Sequence, residues 1–299
     1  MSGDQGSGRK LEIEPGAVTG MSRFSLIMTT FGRTREIENF FRSLEAQAYP
    51  QYELLLVDQN EPGYLKEILD VWSERINIVY LRSERGASRG RNVGLAHATG
   101  SVIAFPDDDS WYSEGLLTAI DRFFAEHAEF DFVSVGVTDE NGVSSGNRWF
   151  QNQCTITPLN IFRTSVTYAY FQRRTALTNN VRFDESLGPS SGTGFDCGDD
   201  TDYVLAVMET GSRGYFTRSL LVHHPRRDML SRTVSDERAF SYGAGMGCVC
   251  RRRALHGVWF LLVCYGAIRC LIVFVRGKLV AARQCWKHLA GLVWGYQHG

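Results

Sequence analysis

The amino-acid sequence predicts an α/β protein built on a mostly parallel, doubly wound sheet. Short apolar runs alternate with helical periodicity from about residue 24 to residue 105. This β-α-β-α order is typical of parallel strands whose faces are covered by helices. The 299 residues are 43% hydrophobic and 22% charged, which argues against a disordered chain and a many-span membrane protein. The length suits one large domain with an appendage.

Four strands and three helices account for this first part of the chain. The predicted strands are residues 24–28, 52–57, 76–81 and 101–105. The first two helices each present one apolar face, formed by Ile37, Phe40, Phe41 and Leu44 and by Leu65, Ile68, Leu69 and Trp72. Residues 91–98 form a short third helix. Ligands of such sheets bind beyond the carboxyl ends of the strands, so polar residues at those ends are the first site candidates.

Three consecutive carboxylates follow the fourth strand. Asp107, Asp108 and Asp109 would repel one another at neutral pH unless a cation or hydrogen-bond donors neutralised them. Side chains alternate along an extended segment, so Asp107 and Asp109 can share one ligand complex. Oxygen ligands of this kind suit Mg²⁺ or Mn²⁺ bridging to phosphate oxygens. The alternative is a solvated turn in which Asp caps the next helix.

Further polar motifs stand at the other strand ends. Residues 29–33, Thr-Thr-Phe-Gly-Arg, follow the first strand, Asp58 follows the second, and a loop at residues 86–92 precedes the third helix. A later Gly/Ser-rich loop leads into Gly-Asp-Asp-Thr-Asp at residues 198–202, and a short strand at 220–222 ends in two histidines. No G-x-G-x-x-G follows the first strand and no G-x-x-x-x-G-K-[ST] occurs, which excludes those two nucleotide-binding fingerprints.

Taken together, the order and spacing of these motifs resemble the family-2 glycosyltransferases of the GT-A fold, of the type that assembles bacterial surface polysaccharides. The resemblance covers about residues 24–225. It implies that a nucleotide-sugar donor contacts Thr29, Thr30, Arg33, Asp58, Arg91, Asp107 and Asp108. It also implies a divalent cation, Mn²⁺ or Mg²⁺, on Asp109, Asp107 and His224, with His223 as the second choice for the histidine ligand. A structural role for the histidine pair stays open.

The resemblance also implies the catalytic residues. Asp200 aligns with the base that deprotonates the acceptor hydroxyl, and Asp199 takes the place of the usual Glu, a longer acid. A sugar hydroxyl is a poor nucleophile, so a carboxylate must take its proton as it attacks the anomeric carbon. One base with in-line attack implies inversion. Helix capping is the alternative role of the two carboxylates.

The last quarter of the chain differs in charge. Nine Lys and Arg residues and no Asp or Glu follow Glu237, which gives this segment a net charge of +9 against −10 for the rest. Residues 258–275 are apolar except for Arg269, and an apolar stripe with basic flanks follows at residues 279–293. This pattern predicts helices that lie in the cytoplasmic membrane interface. Packing on the catalytic domain or in a homodimer, and a true span, are the alternatives.

These observations divide the chain into a flexible leader at 1–20, a GT-A domain at 21–235 and a helical region at 236–299. We expect an inverting, metal-dependent glycosyltransferase at the cytoplasmic face of the cell membrane, with a lipid-linked or oligosaccharide acceptor and no nucleic-acid partner. Two rivals remain. A sugar nucleotidyltransferase would need a Gly-rich, Lys/Arg-bearing loop after the first strand, where the chain has only Gly32. A non-catalytic, membrane-docked scaffold is the other.

Overall fold

The computed structural model describes residues 21–144, 152–177, 181–225 and 235–299. The predicted leader at 1–20 lies outside these residues. The strands are Phe24–Thr30 (β1), Tyr52–Asp58 (β2), Ile78–Arg82 (β3), Val102–Ala104 (β4), Trp111–Tyr112 (β5), Phe132–Thr138 (β6), Cys154–Thr155 (β7), Tyr170–Arg173 (β8) and Gly214–His223 (β9). The α-helices are Arg35–Glu45 (α1), Lys66–Trp72 (α2), Ala87–His97 (α3), Leu116–Glu126 (α4), Asp199–Glu209 (α5), Asp236–Arg252 (α6), His256–Val275 (α7) and Leu279–His298 (α8).

The strands form one sheet in the order β3-β2-β1-β4-β8-β6-β9-β5, and β7 pairs with β9. The first four strands are parallel, as the sequence predicts. Strand β8 then inserts antiparallel between β4 and β6, while β6 and β9 are again parallel. The sheet is therefore mixed, and the predicted α/β class is confirmed.

The segment at residues 86–92, predicted as a loop, instead forms the start of α3. A Cβ on Gly90 would lie 2.6 Å from Cγ2 of Thr29, and one on Gly94 would lie 2.2 Å from Cγ2 of Ile27. These glycines let the helix approach β1 closely, so they serve packing and not loop flexibility. The close approach carries the polar side chains of α3 to the carboxyl end of the sheet.

The C-terminal helices pack through glycines. A Cβ on Gly291 would lie 2.0 Å from the carbonyl oxygen of Phe240, and one on Gly295 would lie 1.9 Å from that of Ala244. The backbones of α6 and α8 are therefore in direct contact. The C-terminal end of α6 is also fixed to α5, because the guanidinium of Arg253, the residue after α6, makes two hydrogen bonds of 2.7 and 2.8 Å to Asp202.

We expect Gly295→Ala to lower the free energy of unfolding by about 1–3 kcal/mol, because its methyl group overlaps the α6 backbone. Gly257→Ala is the matched control: it is also a helical glycine, and a Cβ there meets nothing within 4 Å. That change should be neutral or stabilise by up to about 1 kcal/mol through helix propensity. Urea denaturation of both variants measures the difference, and equal effects would contradict the close contact between the two helices.

Candidate active site

A cleft of about 1150 Å³ opens at the carboxyl ends of β1, β2 and β4. Two walls enclose it. The sheet side supplies Thr29, Thr30, Phe31, Arg33, Gln59, Arg91, Asp107, Asp108 and Asp109. The other wall comes from the C-terminal helices and includes Arg238, Phe240, Ser241, Tyr242, Lys287 and Trp294. The volume exceeds the roughly 300–1,000 Å³ of most small-molecule pockets, so it can accept more than one ligand.

Asp107 and Asp109, which line this cleft, converge with His224. One ligand atom of each lies within 4.8 Å of the other two. Asp107 and Asp109 stand in a turn after β4 rather than in an extended segment, since Ser110 N–H donates to the Asp107 carbonyl at 3.0 Å. Within this turn, the carboxylates of Asp107 and Asp109 both still face His224. The structure thus brings together the three residues predicted from the sequence to bind a metal.

The orientation of His224 fits a ligand. Its Nδ1 lies 2.8 Å from the Pro225 carbonyl oxygen and its Nε2 lies 3.1 Å from Oδ1 of Asp109. The ring also stacks on Tyr168 with 4.7 Å between centroids. Burial disfavours the charged imidazole, but Asp109 and Asp107 outweigh it and raise the pKa of His224. A backbone partner on one nitrogen is the usual way in which a ligating histidine is oriented.

His223, the second choice for the histidine ligand, makes structural contacts instead. Its Nδ1 lies 3.0 Å from Oγ1 of Thr138, and its ring stacks on Trp111 at 5.5 Å. Neighbouring strand residues point to opposite faces, so only one histidine of the pair can face the carboxylates. The geometry favours His224.

Arg33 contacts two of the three carboxylates of the turn, Asp108 and Asp109. Its guanidinium is hydrogen-bonded to Asp108 and lies 3.0 Å from Oδ2 of Asp109. Burial raises the pKa of Asp108 to about 6, and Arg33 opposes this rise. Arg33 therefore holds the turn in place from one side of the cleft, next to Thr29 and Thr30.

Arg91 is buried and joins the two acidic groups of the site. One of its Nη atoms lies 2.6 Å from Asp199 and 3.6 Å from Asp200, and the other lies 3.2 Å from Asp107. The resemblance implied that Arg91 contacts the donor diphosphate. The structure adds three carboxylates as partners of its charge, and it still lines the cleft.

Asp199 and Asp200 stand in different surroundings. Asp199 is 4% exposed and packs on Gly188, where a Cβ would lie 2.5 Å from its Cγ. Burial and the Asp200 charge raise the pKa of Asp199, against the effect of Arg91. Asp200 keeps 30% of its side chain exposed and accepts a 2.6 Å hydrogen bond from the Thr167 hydroxyl. Asp199 is therefore the buried ion-pair partner of Arg91, and Asp200 is the more accessible carboxylate.

Asp58, predicted to contact the donor, is fully buried. Its carboxylate accepts hydrogen bonds from the Asn60 backbone at 2.9 Å, from the Asn60 side chain at 2.7 Å and from the Tyr80 hydroxyl at 2.8 Å. The next residue, Gln59, lines the cleft. Asp58 closes the loop after β2 in this structure, and a role in donor binding stays a prediction.

The sequence analysis missed the wall formed by the C-terminal helices. Arg238 and Tyr242 come from α6, and Lys287 and Trp294 come from α8. The spacing could have indicated both pairs. Arg238 and Tyr242 are four residues apart and Lys287 and Trp294 are seven apart, so each pair lies on one face of its helix. The sequence pattern favours a membrane interface for this region and leaves packing on the catalytic domain as an alternative. Helix packing turns this side toward the cleft instead.

Comparison with known proteins identifies the family. The model of "Glycosyl transferase family 2" matches residues 25–186, more than half of the chain. Poly(ribitol-phosphate) beta-N-acetylglucosaminyltransferase TarS of Staphylococcus aureus (strain Mu50) is 28% identical over 178 residues, which are 56% of this chain and 30% of TarS. The Escherichia coli UDP-Glc:alpha-D-GlcNAc-diphosphoundecaprenol beta-1,3-glucosyltransferase WfgD is 26% identical over 121 residues, 40% of this chain and 48% of WfgD.

A solved structure with the same fold is mannosyltransferase PcManGT from Pyrobaculum calidifontis in complex with GDP-Man and Mn²⁺. The TM-score is 0.60 at 14% identity, and the match covers 92% of this chain and 88% of PcManGT. The chain spans less than half the length of the two curated relatives that it matches. The family match includes the first four strands and the carboxylate turn. The chain belongs to glycosyl transferase family 2.

Proposed function

We propose that this protein transfers a sugar from a nucleotide-sugar donor to a saccharide acceptor in cell-surface polysaccharide synthesis, with a divalent cation and with inversion. One observation carries the proposal. Asp107, Asp109 and His224 form a metal-type cluster, and Arg91 connects this cluster to Asp200 through contacts of 3.2 Å to Asp107 and 3.6 Å to Asp200. Donor binding and acceptor activation need these two kinds of group side by side.

The cluster fits a cation by its chemistry. Two carboxylates and one imidazole are ligands that Mn²⁺ accepts, and Mg²⁺ can use the oxygens. When bound, such an ion offsets the charge that develops on the departing nucleoside diphosphate. PcManGT is named with GDP-Man and Mn²⁺, and WfgD with UDP-Glc, which supports a nucleotide-sugar donor here. Arg33 would then hold the turn that binds donor and ion.

Asp200 is our candidate for the general base. Its exposed carboxylate can accept the proton of an acceptor hydroxyl, while the buried Thr167 hydroxyl orients it through Oδ1. An Nη atom of Arg91 lies 3.6 Å from the same Oδ1 atom. A single base gives a single displacement, and a single displacement inverts the anomeric centre.

The acceptor and the membrane form the second part of the proposal. WfgD is named for a diphosphoundecaprenol acceptor, and we extend this chemistry to a lipid-linked saccharide here. Among the residues that the structure describes, α7 is the one helix long and apolar enough to cross a membrane by length and composition. Its outer residues Leu271 and Val275 are 63% and 75% exposed. We therefore propose that residues 236–299 hold a GT-A domain at 21–235 against the cytoplasmic leaflet.

Release of nucleoside diphosphate tests this function. The full chain in detergent micelles is incubated with a panel of nucleotide sugars, a bacterial lipid extract as acceptor, and Mn²⁺ or EDTA. We expect release from one donor that requires both lipid extract and metal. Nucleotide binding without release from any donor would favour the scaffold. Formation of a nucleotide sugar from a sugar phosphate and a nucleoside triphosphate would favour the nucleotidyltransferase.

The metal ligands give a separate prediction. Asp109→Asn should weaken the Mn²⁺-dependent binding of the donor nucleotide about 100-fold, since even residues that only orient ligands cost 10–100-fold in metal affinity. Asp70→Asn is the control, because Asp70 is an exposed carboxylate on α2 that pairs with Lys66. Calorimetric titration with and without Mn²⁺ measures both. Equal Mn²⁺ enhancement in the two variants would remove Asp109 from the metal site.

A further inference from the structure

An apolar groove adjoins the active-site cleft. It lies between α7 and α8 and has a volume of about 380 Å³. Its lining consists of Val263, Trp286, Leu289, Ala290, Val293, Trp294 and Gln297. Trp294 also lines the cleft, so the two spaces meet at this side chain. The carboxylate site and the groove are therefore connected along one helix.

Two cations belong to the wall of the cleft that the C-terminal helices form. Lys287 and Arg238 both line the cleft, as do the carboxylates of Asp236 and Glu237. The Arg238 guanidinium donates to the Tyr242 hydroxyl at 2.9 Å. The nearby Asp236 carboxylate is engaged by Arg283 at 3.0 Å. The Lys287 and Arg238 side chains at the cleft are suited to an anionic group of a ligand.

The apolar side of the groove continues onto the surface of the helices. Trp286 is 62% exposed on α8, and Ile268 and Leu271 are exposed on α7. Where a membrane covers this surface, a hydrocarbon chain that enters the groove near Trp294 can leave along it into the acyl layer. A saccharide ligand alone would not need such a surface, because sugars are polar on most of their edges.

We propose that the α7/α8 groove holds the first part of the hydrocarbon chain of a lipid-diphosphate acceptor, and that Lys287 and Arg238 bind its phosphates. The sugar end then lies in the cleft on the side of Asp200. Charge complementarity at the two cations, and the continuity of groove and cleft through Trp294, select this occupant over a second copy of the chain. This inference rests on the proposed function and names the part of the protein that recognises the acceptor.

Binding of a model lipid diphosphate tests the groove. The full chain in dodecyl maltoside micelles is titrated in EDTA, which removes the metal site as a competitor for phosphate. The probes are farnesyl diphosphate, inorganic pyrophosphate and farnesol. We expect farnesyl diphosphate to bind at least about tenfold more tightly than either of the other two, since both the cations and the groove contribute. Lys287→Ala should remove most of this advantage.

Two larger substitutions separate the groove from general hydrophobicity. Ala290→Phe fills the groove and should lower the affinity for farnesyl diphosphate about tenfold, to near that of pyrophosphate. Val263→Phe fills it from the opposite wall if the first variant does not fold. Val71→Phe adds an aromatic ring at an exposed position of α2, outside the lining of the groove, and should change nothing. Equal behaviour of Ala290→Phe and Val71→Phe would overturn the proposal, as would farnesyl diphosphate that binds no better than pyrophosphate.

Parallel measurements keep the two proposals apart. Mn²⁺-dependent nucleotide binding is measured on the same samples, and its absence from the wild type would count against the proposed function itself. Intact nucleotide binding without selective lipid-diphosphate binding would overturn only the acceptor subsite. Sedimentation in micelles reports the oligomeric state, and a dimer that Ala290→Phe dissociates would assign the groove to a second copy instead.

Discussion

Asp200→Asn should lower kcat by about 10²–10⁴-fold, the contribution of a well-placed general base, while the affinity for the donor nucleotide changes little. The amide keeps the size of the side chain and can still pair with the Thr167 hydroxyl. It cannot accept the proton of the acceptor hydroxyl. Initial rates of nucleoside diphosphate release over a range of acceptor concentrations give kcat and KM separately.

Glu209→Gln is the matched control for this variant. It makes the same change from carboxylate to amide at the other end of α5, where the side chain is 56% exposed and pairs with Arg253. We expect its kcat to stay within about twofold of the wild type. If Asp200→Asn also stays near the wild type, Asp200 is not the base and another group of the cleft must take the proton.

Arg91→Met should lower the free energy of unfolding by about 3–5 kcal/mol, the usual cost of removing one partner from a buried charge cluster. Burial already raises the pKa of Asp107, and Arg91 is the cation that Asp107 and Asp199 share at 3.2 and 2.6 Å. Without it the carboxylates are either buried as unpaired charges or protonated. Urea denaturation in EDTA measures the loss, because a bound cation would replace part of the missing charge.

Arg89→Met provides the comparison on the same helix. Arg89 is 42% exposed and pairs with Glu84 and Glu185, so its removal should cost about 1 kcal/mol or less. A similar loss for the two variants would mean that Arg91 adds no more than a surface ion pair. In that case the connection between the metal cluster and Asp200 would lose its basis.

Local pattern was enough to predict the first half of the sheet and the chemistry at its edge. Alternating apolar runs and helical faces place β1 to β4 in order, and parallel strands bring their carboxyl ends together. The grouping of Asp107 with Asp109 follows from that arrangement, whereas only the resemblance implied that His224, which follows β9, joins them. Their assignment to a metal came from the family resemblance and from the chemistry of the residue types.

Contacts between distant parts of the chain could not be predicted in the same way. The antiparallel insertion of β8 depends on pairing with β4 and β6, and no sequence periodicity specifies such partners. The Arg91 to Asp199 ion pair joins residues 108 positions apart. Only the folded structure therefore shows that Asp199 serves Arg91, while Asp200 remains accessible.

The C-terminal helices show a third limit of sequence reasoning. An amphipathic stripe with basic flanks fits a membrane surface and a protein interface equally well. The stripe divides in the structure, since Leu289 is buried while Leu279 and Trp286 are 66% and 62% exposed. Arg252 and Arg253 pair with acids of the catalytic domain. Only some of the Lys and Arg side chains of residues 236–299 are therefore available to bind anionic lipid headgroups.

The configuration of the new glycosidic bond tests the central claim most directly. The donor that supports turnover is used at preparative scale, and the anomeric coupling constant of the product is measured by proton NMR. A single displacement at the anomeric carbon with Asp200 as base predicts that an α-linked donor gives a β-linked product. A product that keeps the configuration of the donor would contradict the single-base mechanism and the role given to this cleft.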